Sequence, residues 1–379
     1  MSVSYGGSSI TFEDGSIVSS GSQGFKNKII NGAMMIDQRY AGAANTPTNS
    51  IYTLDRWRSP TTAAKISVQQ MNGANTSASN YEASSAPTGF TNSIKVTTTT
   101  ANTPNAGDYF GVNQLIEGYN CADLDWGKAT AKSVTLSFWV KSSLTGTFGG
   151  GIRTGDSSNY SYPFTYTIST ANTWTYTTVV IPGPTAGTWN TGNGQGLDVW
   201  FSVGTGSTFS GTANTWAASN YVNATGSVNV VSTLNATWYI TGVQLEKGTT
   251  ASSFEFRSYT KELVLCQRYY YQRNIVATSS DYIAVIQCFN TGGAYGKLFD
   301  LPVTMRATPT GSMSSITHFR ASTSGGNGTT AFSAGLIDVL SPTAVGTQGW
   351  SGISGLTGGN ATVITAGTVP SWIAVSAEL

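Results

Sequence analysis

The sequence predicts an all-β protein, with a sandwich or jelly roll first, then a short helix, then a smaller C-terminal β-sandwich domain. Segments that alternate apolar and polar residues recur along most of the chain, and Gly- and Pro-rich turns separate them. Helical spacing occurs in one stretch only, so strands and helices do not alternate as they do in α/β proteins. The 379 residues exceed the ~250–300 that one core usually serves, which indicates two or more domains.

The clearest strand covers residues 133–141. Apolar side chains occupy every second position from Val134 to Val140, while Trp139 shares the opposite face with three polar residues. Further strands are predicted at residues 67–71, 94–97, 174–181, 197–203, 237–240 and 240–245, and beyond the helix at 282–289 and 372–375.

The predicted helix follows a turn-rich loop. Ser258 can cap its N-terminus through a hydroxyl that accepts a backbone N–H, and Glu262 lies in the first turn, where a negative charge is favourable. We expect this helix to join the two β-domains and to bury one face. The residues of that face are Tyr259, Leu263, Cys266 and Tyr270.

The first residues carry a hairpin pattern, because the apolar pairs around Ile10 and Ile17 flank an Asp-Gly turn. A lone hairpin is marginally stable in water, so this one is expected to dock on a partner surface through Ile10, Phe12 and Ile17. The alternative is a disordered leader. The predicted segments are 1–25 for attachment, 26–257 for the large β-domain, 258–274 for the linking helix and 275–379 for the C-terminal β-sandwich.

Composition excludes several classes of protein. Charged residues make up 10% of the chain, against about 25% in average domains, yet the 11% of aromatic residues argues against disorder. The formal net charge of +1 gives no broad field to attract nucleic acid or an anionic membrane. No stretch is long and apolar enough to insert into a membrane, and the N-terminus has no secretion signal pattern.

The cysteines and the glycine-rich loops give no sign of a cofactor. Cys121, Cys266 and Cys288 are an odd, sparse set without a CxxC pair, so neither a disulfide framework nor a zinc site is predicted. Cys266 is expected to be a small buried thiol. Structural calcium at Asp123 and Asp125 stays open.

Several short motifs occur together in a fixed order. They are residues 27–32, the Asp55-Arg56-Trp57 triplet, 242–246, 254–257, 265–270, 301–309 and the ending 372–379. In this order the motifs resemble tail-fibre and virion structural proteins of tailed bacteriophages. The resemblance implies a virion protein, a jelly-roll sandwich like that of carbohydrate-binding modules, and a homotrimer. Within the triplet, Trp57 is expected to pack inside the domain rather than contact a ligand.

Sugar recognition requires aromatic faces beside amide or carboxylate groups, and several turn-rich loops offer this mixture. Aromatic residues in such loops are more often exposed than those in strands, and exposure favours binding. The alternative is that these side chains tuck under their own loops. The candidate glycan-binding residues are Tyr160, Trp189, Trp216, Tyr221 and Trp350.

Catalysis is not expected. A Ser-His-Asp triad would need the single His318, whose neighbours indicate a strand position, and no G-x-S-x-G turn is present. Asp123 and Asp125 would lie on the same side of an extended chain, at a spacing that an inverting glycosidase could use. Solvated carboxylates are the simpler interpretation, so a glycan depolymerase is the third alternative.

The leading hypothesis is a non-catalytic phage tail-fibre or receptor-binding protein that adheres multivalently to a host surface polysaccharide. Its N-terminal segment would attach to other virion proteins, and the protein would be made in the host cytoplasm and released by lysis. The rival is a structural virion protein, a capsid decoration or a fibre, that binds other virion subunits.

Overall fold

A computed structural model describes residues 25–155, 160–275, 282–321, 330–366 and 371–379, together with three short N-terminal strands. The chain divides into two compact units. The first comprises Met1–Met35 and Gly42–Phe256, and the second comprises Ile36–Ala41 and Arg257–Leu379. In the described part of the chain, no helix is long and apolar enough to cross a membrane.

The N-terminal strands β1 (Ser4–Gly6), β2 (Ser9–Thr11) and β3 (Ile17–Ser19) form a small antiparallel sheet. Ile10 lies opposite Val18 and Thr11 lies opposite Ile17, which is the hairpin that the sequence predicts. Phe12 and the Asp-Gly turn lie outside the described residues.

The first unit contains a sandwich of two antiparallel sheets and a separate parallel pair of short strands, Ser210–Gly211 and Asn223–Ala224. Its strands are β4 (Ile51–Leu54), β5 (Trp57–Ser59), β6 (Ile66–Asn72), β7 (Asn92–Thr98), β8 (Tyr109–Glu117), β9 (Val134–Ser142), β10 (Gly146–Thr154), β11 (Ser161–Ile168), β12 (Thr175–Ile181), β13 (Gln195–Thr205), β14 (Ser210–Gly211), β15 (Asn223–Ala224) and β16 (Thr237–Lys247). The six-stranded sheet has the order β11-β10-β13-β8-β5-β4, and the five-stranded sheet has the order β12-β9-β16-β7-β6. Because the chain passes repeatedly from one sheet to the other, this unit is the jelly-roll sandwich that the sequence predicts.

The core of this unit lies between the two sheets. Every second residue of β9 points into it, and Val134, Leu136, Phe138 and Val140 are fully buried. Phe138 contacts Phe201 of the opposite sheet edge-on, with ring centroids 5.0 Å apart. Burying one such side chain stabilises a fold by roughly 1.5–3 kcal/mol, so the alternation seen in the sequence sets the sandwich.

The motif residues before β4 hold the two sheets together. Asn27 donates its side-chain amide to the carbonyl of Val243 (3.0 Å) and accepts the backbone N–H of Leu245 (3.0 Å). Trp57 is fully buried and donates its indole N–H to the carbonyl of Asn31 (2.9 Å). The prediction that Trp57 packs inside the domain is confirmed.

The second unit is the smaller β-sandwich. Its elements are α1 (Tyr259–Gln267), β17 (Tyr270–Ile275), β18 (Tyr282–Asn290), β19 (Gly293–Asp300), β20 (Thr310–Met313), β21 (Phe319–Ala321), β22 (Thr330–Ala331), β23 (Val339–Leu340), β24 (Ala344–Ser351), β25 (Ala361–Ala366) and β26 (Ser371–Ser376). The sheets β17-β26-β20 and β22-β21-β25-β18-β19-β24-β23 share one hydrophobic core. Short 3₁₀ turns elsewhere in the chain are Gly118–Asn120, Ala122–Leu124, Ser207–Phe209, Val230–Ser232 and Ile316–His318.

The helix begins where the sequence predicts, and the predicted face is buried in part. The hydroxyl of Ser258 accepts the backbone N–H of Lys261 (3.4 Å). Glu262 and Cys266 are buried, whereas Tyr259 is 55% exposed, so the predicted face is wrong for Tyr259. The buried Glu262 carboxylate is paired with the Arg257 guanidinium at 3.5 Å.

The end of the helix also differs from the prediction. The helix ends at Gln267, so Tyr270 belongs to β17 rather than to the helical face. The helix lies within the second unit, which also includes Ile36–Ala41 from early in the chain. In that segment the Arg39 guanidinium lies 3.6 Å from the centre of the Tyr270 ring and pairs with Glu378 (2.9 Å). The sequence patterns do not predict that residues 36–41 belong to the second unit.

Candidate functional site

An open groove of about 260 Å³ lies on the outer face of the five-stranded sheet of the first unit. Its walls are five aromatic side chains from four separate stretches of the chain. They are Phe90, Trp139, Tyr176, Phe254 and Phe256.

Trp139 and Tyr176 form one wall of the groove. They lie opposite each other in the pairing of β9 with β12, and their ring centroids are 5.3 Å apart. Phe138 and Val140 point into the core, so the period of the strand places Trp139 on the outside. Tyr176 is 46% exposed, which leaves its ring accessible to a ligand.

Three phenylalanine rings form the other wall. Phe254 and Phe256 lie 4.8 Å apart, and both contact Phe90, at 5.1 and 5.2 Å. Phe256 is nevertheless 60% exposed. An exposed group of large apolar side chains is uncommon on a soluble surface and marks an interaction site.

Gly242 forms part of the groove floor. It lies in a bulge of β16 between Thr241 and Gln244, with a positive φ of 61°. A Cβ at this position would be 2.7 Å from the Phe90 ring and 3.1 Å from Trp139. The glycine therefore satisfies the bulge conformation and also leaves room for the aromatic walls.

Polar groups lie beside the aromatic walls and fix the loop that carries Phe254 and Phe256. The Ser252 hydroxyl donates to the Glu246 carboxylate (2.6 Å) and accepts from the Lys26 ammonium (2.8 Å). Ser137, Ser253 and Thr88 also line the groove. Aromatic faces with a few hydroxyls are the usual lining of a site for a partly apolar, hydroxyl-rich ligand.

A polar cluster holds loop 73–91, which carries Phe90, against the same sheet face. Glu82 accepts from the Tyr239 hydroxyl (2.7 Å) and from Lys95 (2.7 Å). Lys141 donates to the carbonyl of Ser84 (2.6 Å) and lies 4.1 Å from the centre of the Tyr239 ring. Burial raises the pKa of Glu82, but the hydrogen bonds from Lys95 and Tyr239 outweigh it, so the pKa is lower than usual.

The predicted candidates Tyr160, Trp189 and Trp216 come together at another place in the first unit. Tyr160 stacks on Trp216 with an interplanar angle of 6°, and Trp189 contacts both Trp216 (5.7 Å) and Trp126 (4.7 Å). Both indole N–H groups donate to loop carbonyls, Trp189 to Ala186 and Trp216 to Pro182. These half-buried rings pack on one another, which agrees with the alternative that they tuck under their own loops. Their role in glycan binding stays a prediction.

The other two candidates are separate from this cluster. Tyr221 is half-buried and donates its backbone N–H to the Ser161 hydroxyl (3.0 Å). Trp350 is fully buried in the core of the second unit and donates its indole N–H to Leu336 (3.0 Å). It offers no face to a ligand, so its prediction as a glycan-binding residue is wrong. Its glycine-rich neighbourhood belongs to strand β24 rather than to a loop.

The carboxylates considered for catalysis are not arranged as the extended chain would place them. Asp123 lies in a 3₁₀ turn and Asp125 follows with a left-handed φ of 53°. Asp123 pairs with Lys28 (2.8 Å) and Lys247 (3.2 Å). Burial raises the pKa of Asp123, but these ammonium groups outweigh it and lower the pKa below its usual value. A general acid needs the opposite shift.

Two further expectations concern His318 and metals. His318 ends a 3₁₀ turn rather than lying in a strand, and its Nδ1 is 3.0 Å from the Ser314 hydroxyl. The strand assignment is therefore wrong, while the hydrogen bond fits a structural role. Among the described residues, no three His, Cys, Asp or Glu side chains gather as metal ligands would.

The groove residues were not among the predicted site residues. The alternation in residues 133–141 does place Trp139 on the outer face, and this was the signal that could have identified it. Phe254 and Phe256 belong to the motif at 254–257, but their meeting with Phe90 depends on the folded chain.

No family model and no curated protein matches this sequence. Among solved structures, the enzymatically active domain of tailspike protein 4 of bacteriophage CBA120 is similar over 59% of this chain and 21% of its own, with 16% identity and a TM-score of 0.31. This chain thus spans about a fifth of the length of that tailspike domain. A putative sugar-binding protein from Bacteroides thetaiotaomicron matches 59% of this chain and 100% of its own, with 12% identity and a TM-score of 0.35. The CBM22-1 xylan-binding domain from Paenibacillus barcinonensis matches 56% of this chain and 99% of its own, with 9% identity and a TM-score of 0.26.

Proposed function

We propose that the first unit binds a carbohydrate chain in the aromatic groove on the outer face of its five-stranded sheet. The observation that supports this most directly is the pair of half-buried Trp139 and exposed Tyr176, with three phenylalanine rings across from it. The apolar C–H face of a pyranose would pack on the rings, and serine and threonine hydroxyls at the rim would bind its hydroxyls.

We further propose that the protein is a non-catalytic tail-fibre or receptor-binding protein of a phage virion. The ordered motifs of the sequence support a virion protein, and an open groove suits the reversible binding of a long polymer. A homotrimer attached through its N-terminal hairpin would present three such sites. Multivalency raises the overall affinity through effective concentration, even when each single site is weak.

A structural virion protein is the second candidate. The wall of Phe90, Phe254 and Phe256 favours it, because phenyl rings carry no hydrogen-bonding group and suit an apolar segment of another subunit equally well. In this case the groove would bind a virion protein and not a polysaccharide.

The deciding experiment measures retention of the purified full chain on immobilised bacterial envelope polysaccharide. Trp139→Ala and Tyr176→Ala should each weaken retention by about tenfold, since a loss of ~1.4 kcal/mol corresponds to that factor. Tyr119→Ala is the matched control, because Tyr119 is 64% exposed and lies outside the groove. The groove would be refuted as a glycan site if Trp139→Ala and Tyr176→Ala were retained as well as Tyr119→Ala and the parent protein. It would also be refuted if no extract retained the parent protein.

Two measurements test the rest of the proposal. Light scattering should give a mass of three chains, and a monomer mass would contradict the trimer. Incubation with the same extract should release no reducing ends. Release that is lost in Asp123→Asn or Asp125→Asn would instead establish a depolymerase.

A further inference from the structure

A second cleft, of about 270 Å³, lies on the outer face of the six-stranded sheet of the first unit. It is on the opposite side of the sandwich from the aromatic groove and shares no residue with it. Its chemistry also differs, because it combines two arginines with an aromatic wall. The charged, amide and aromatic residues of its lining are Arg58, Arg153, Tyr109, Trp200, Phe209 and Asn220.

A chain of hydrogen bonds fixes the two arginines in the cleft. Arg58 donates its Nε–H to the Asn113 side-chain carbonyl (3.2 Å), and Asn113 donates to the Asp198 carboxylate (2.7 Å). Arg153 donates its Nε–H to the other Asp198 oxygen (2.8 Å) and also donates to Asn220. Asp198 is fully buried, so this chain is a built part of the fold and not a chance surface pair.

Among the residues that the structure describes, the cleft has one positive charge in excess. Asp198 is the one carboxylate in this chain of hydrogen bonds, and its two oxygens are already used by Asn113 and Arg153. The described lining of the cleft contains no carboxylate that could pair with Arg58. Within the described chain, Arg58 forms its hydrogen bond through Nε–H, and its terminal nitrogens have no protein partner. Two planar guanidinium groups therefore face the open cleft, and Arg58 has no carboxylate to accept from it.

The aromatic wall of the cleft has one buried ring and two half-buried rings. Trp200 is 2% exposed and lies under Arg153, whose guanidinium is 5.1 Å from the centre of the Trp200 ring. The half-buried rings of Tyr109 and Phe209 are therefore the ones that a ligand in the cleft can contact. Tyr109 stands edge-on to both Trp200 (5.9 Å) and Phe209 (5.3 Å), which gives the cleft a rigid apolar side.

We propose that this cleft binds a sugar unit that carries a carboxylate, with the carboxylate on Arg58 and Arg153 and the pyranose ring against the aromatic wall. The volume is below the ~300–1,000 Å³ of sites that enclose drug-sized ligands, so it suits one sugar unit rather than a long chain. A planar carboxylate matches the guanidinium fork, and the aromatic side requires a ligand with an apolar face. The site does not depend on the aromatic groove and would add selectivity for acidic polysaccharides.

The test is calorimetric titration of the full chain with glucuronic acid, glucose, acetate and inorganic phosphate. Glucuronic acid and glucose differ only in the carboxylate, so glucuronic acid should bind at millimolar concentration and glucose at least about tenfold more weakly. Acetate and phosphate should also bind at least tenfold more weakly, since they lack the ring. Equal binding of glucose, equal binding of phosphate, or no binding of glucuronic acid would each overturn the proposal.

Variants then locate the site. Arg58→Gln should weaken binding of glucuronic acid by about tenfold or more. Arg273→Gln in the second unit should leave it unchanged. Trp139→Ala should also leave it unchanged, which separates this site from the aromatic groove. If Arg58→Gln lowers the unfolding temperature, Arg58→Lys keeps the charge and tests the fork geometry. Full binding by both Arg58 variants would overturn the assignment.

Discussion

Trp139 and Tyr176 lie opposite each other on β9 and β12, with ring centroids 5.3 Å apart, on the face of the sheet that points away from the core. Phe138, one residue earlier, is fully buried between the two sheets. Phe138 therefore belongs to the core and Trp139 to the groove, because successive side chains of a strand point to opposite faces. Substitutions can separate the two tasks: a core variant changes stability, and a groove variant changes binding.

Gly242→Ala should close the groove. Its Cβ would overlap the position of the Phe90 ring, so the aromatic walls would have to move and retention on polysaccharide should fall by about tenfold or more. The positive φ also costs an alanine about 1–2 kcal/mol of stability. Gly226→Ala is the matched control, since Gly226 has a φ of +85° and no atom within 4 Å of its Cβ position. Both variants should be less stable in urea unfolding, but only Gly242→Ala should lose binding. Loss of binding in both would show that the lower stability, and not closure of the groove, weakens binding.

Trp57→Phe should lower the free energy of unfolding by roughly 2–4 kcal/mol without changing binding per folded molecule. The substitution leaves a cavity in the core and removes the hydrogen bond to the carbonyl of Asn31. Leu234→Ala is the comparison, because Leu234 is exposed and its loss should cost no more than about 0.5 kcal/mol. A Trp57→Phe protein that is equally stable but fails to bind would assign Trp57 to the site instead.

Local alternation predicted the sandwich because burial of every second residue depends on neighbours in sequence. Residues 133–141 gave both the strand and its inner face, and Ser258 gave the start of the helix. The helical face was predicted less well: Tyr259 is exposed and Glu262 is buried, and the pairing of Glu262 with Arg257 is a contact that apolar spacing does not report.

The sites depend on contacts between distant parts of the chain, which a single sequence does not show. Phe90 and Phe254 meet only because two loops fold over the same sheet. Trp350 lies beside a glycine, as a loop residue would, yet the pairing of β24 with β19 places it in a core. Likewise, Arg58 and Arg153 share a cleft because β5 and β10 belong to one sheet.

The three thiols should be unreactive in the native protein. Cys121, Cys266 and Cys288 are all described and buried, and they form no disulfide with one another. Burial raises the pKa of Cys121 to about 12 and also raises that of Cys288, so little thiolate exists at neutral pH. A thiol reagent should therefore label the folded chain slowly and label three groups after unfolding in urea. Rapid labelling of one group before unfolding would show that its surroundings open in solution.

Acid should release loop 73–91 from the sheet and disturb the groove with it. The pKa of Glu82 is lower in the folded state than its ordinary value of 4.5, so its stabilising contribution is present above that value and is lost as the pH falls through the lower, folded pKa. Protonation weakens the bonds to Lys95 and Tyr239, and Phe90 belongs to the loop that these bonds hold. The protection of residues 73–91 against hydrogen exchange, measured relative to the intrinsic rate at each pH, should therefore fall below about pH 4.5, and Glu82→Gln should show the lower protection, seen as faster exchange, already at neutral pH. Asp300→Asn, which removes an exposed partner of Lys297, should leave this exchange unchanged. If Glu82→Gln exchanges as slowly as the parent at neutral pH, the aromatic contacts of Phe90 hold the loop instead.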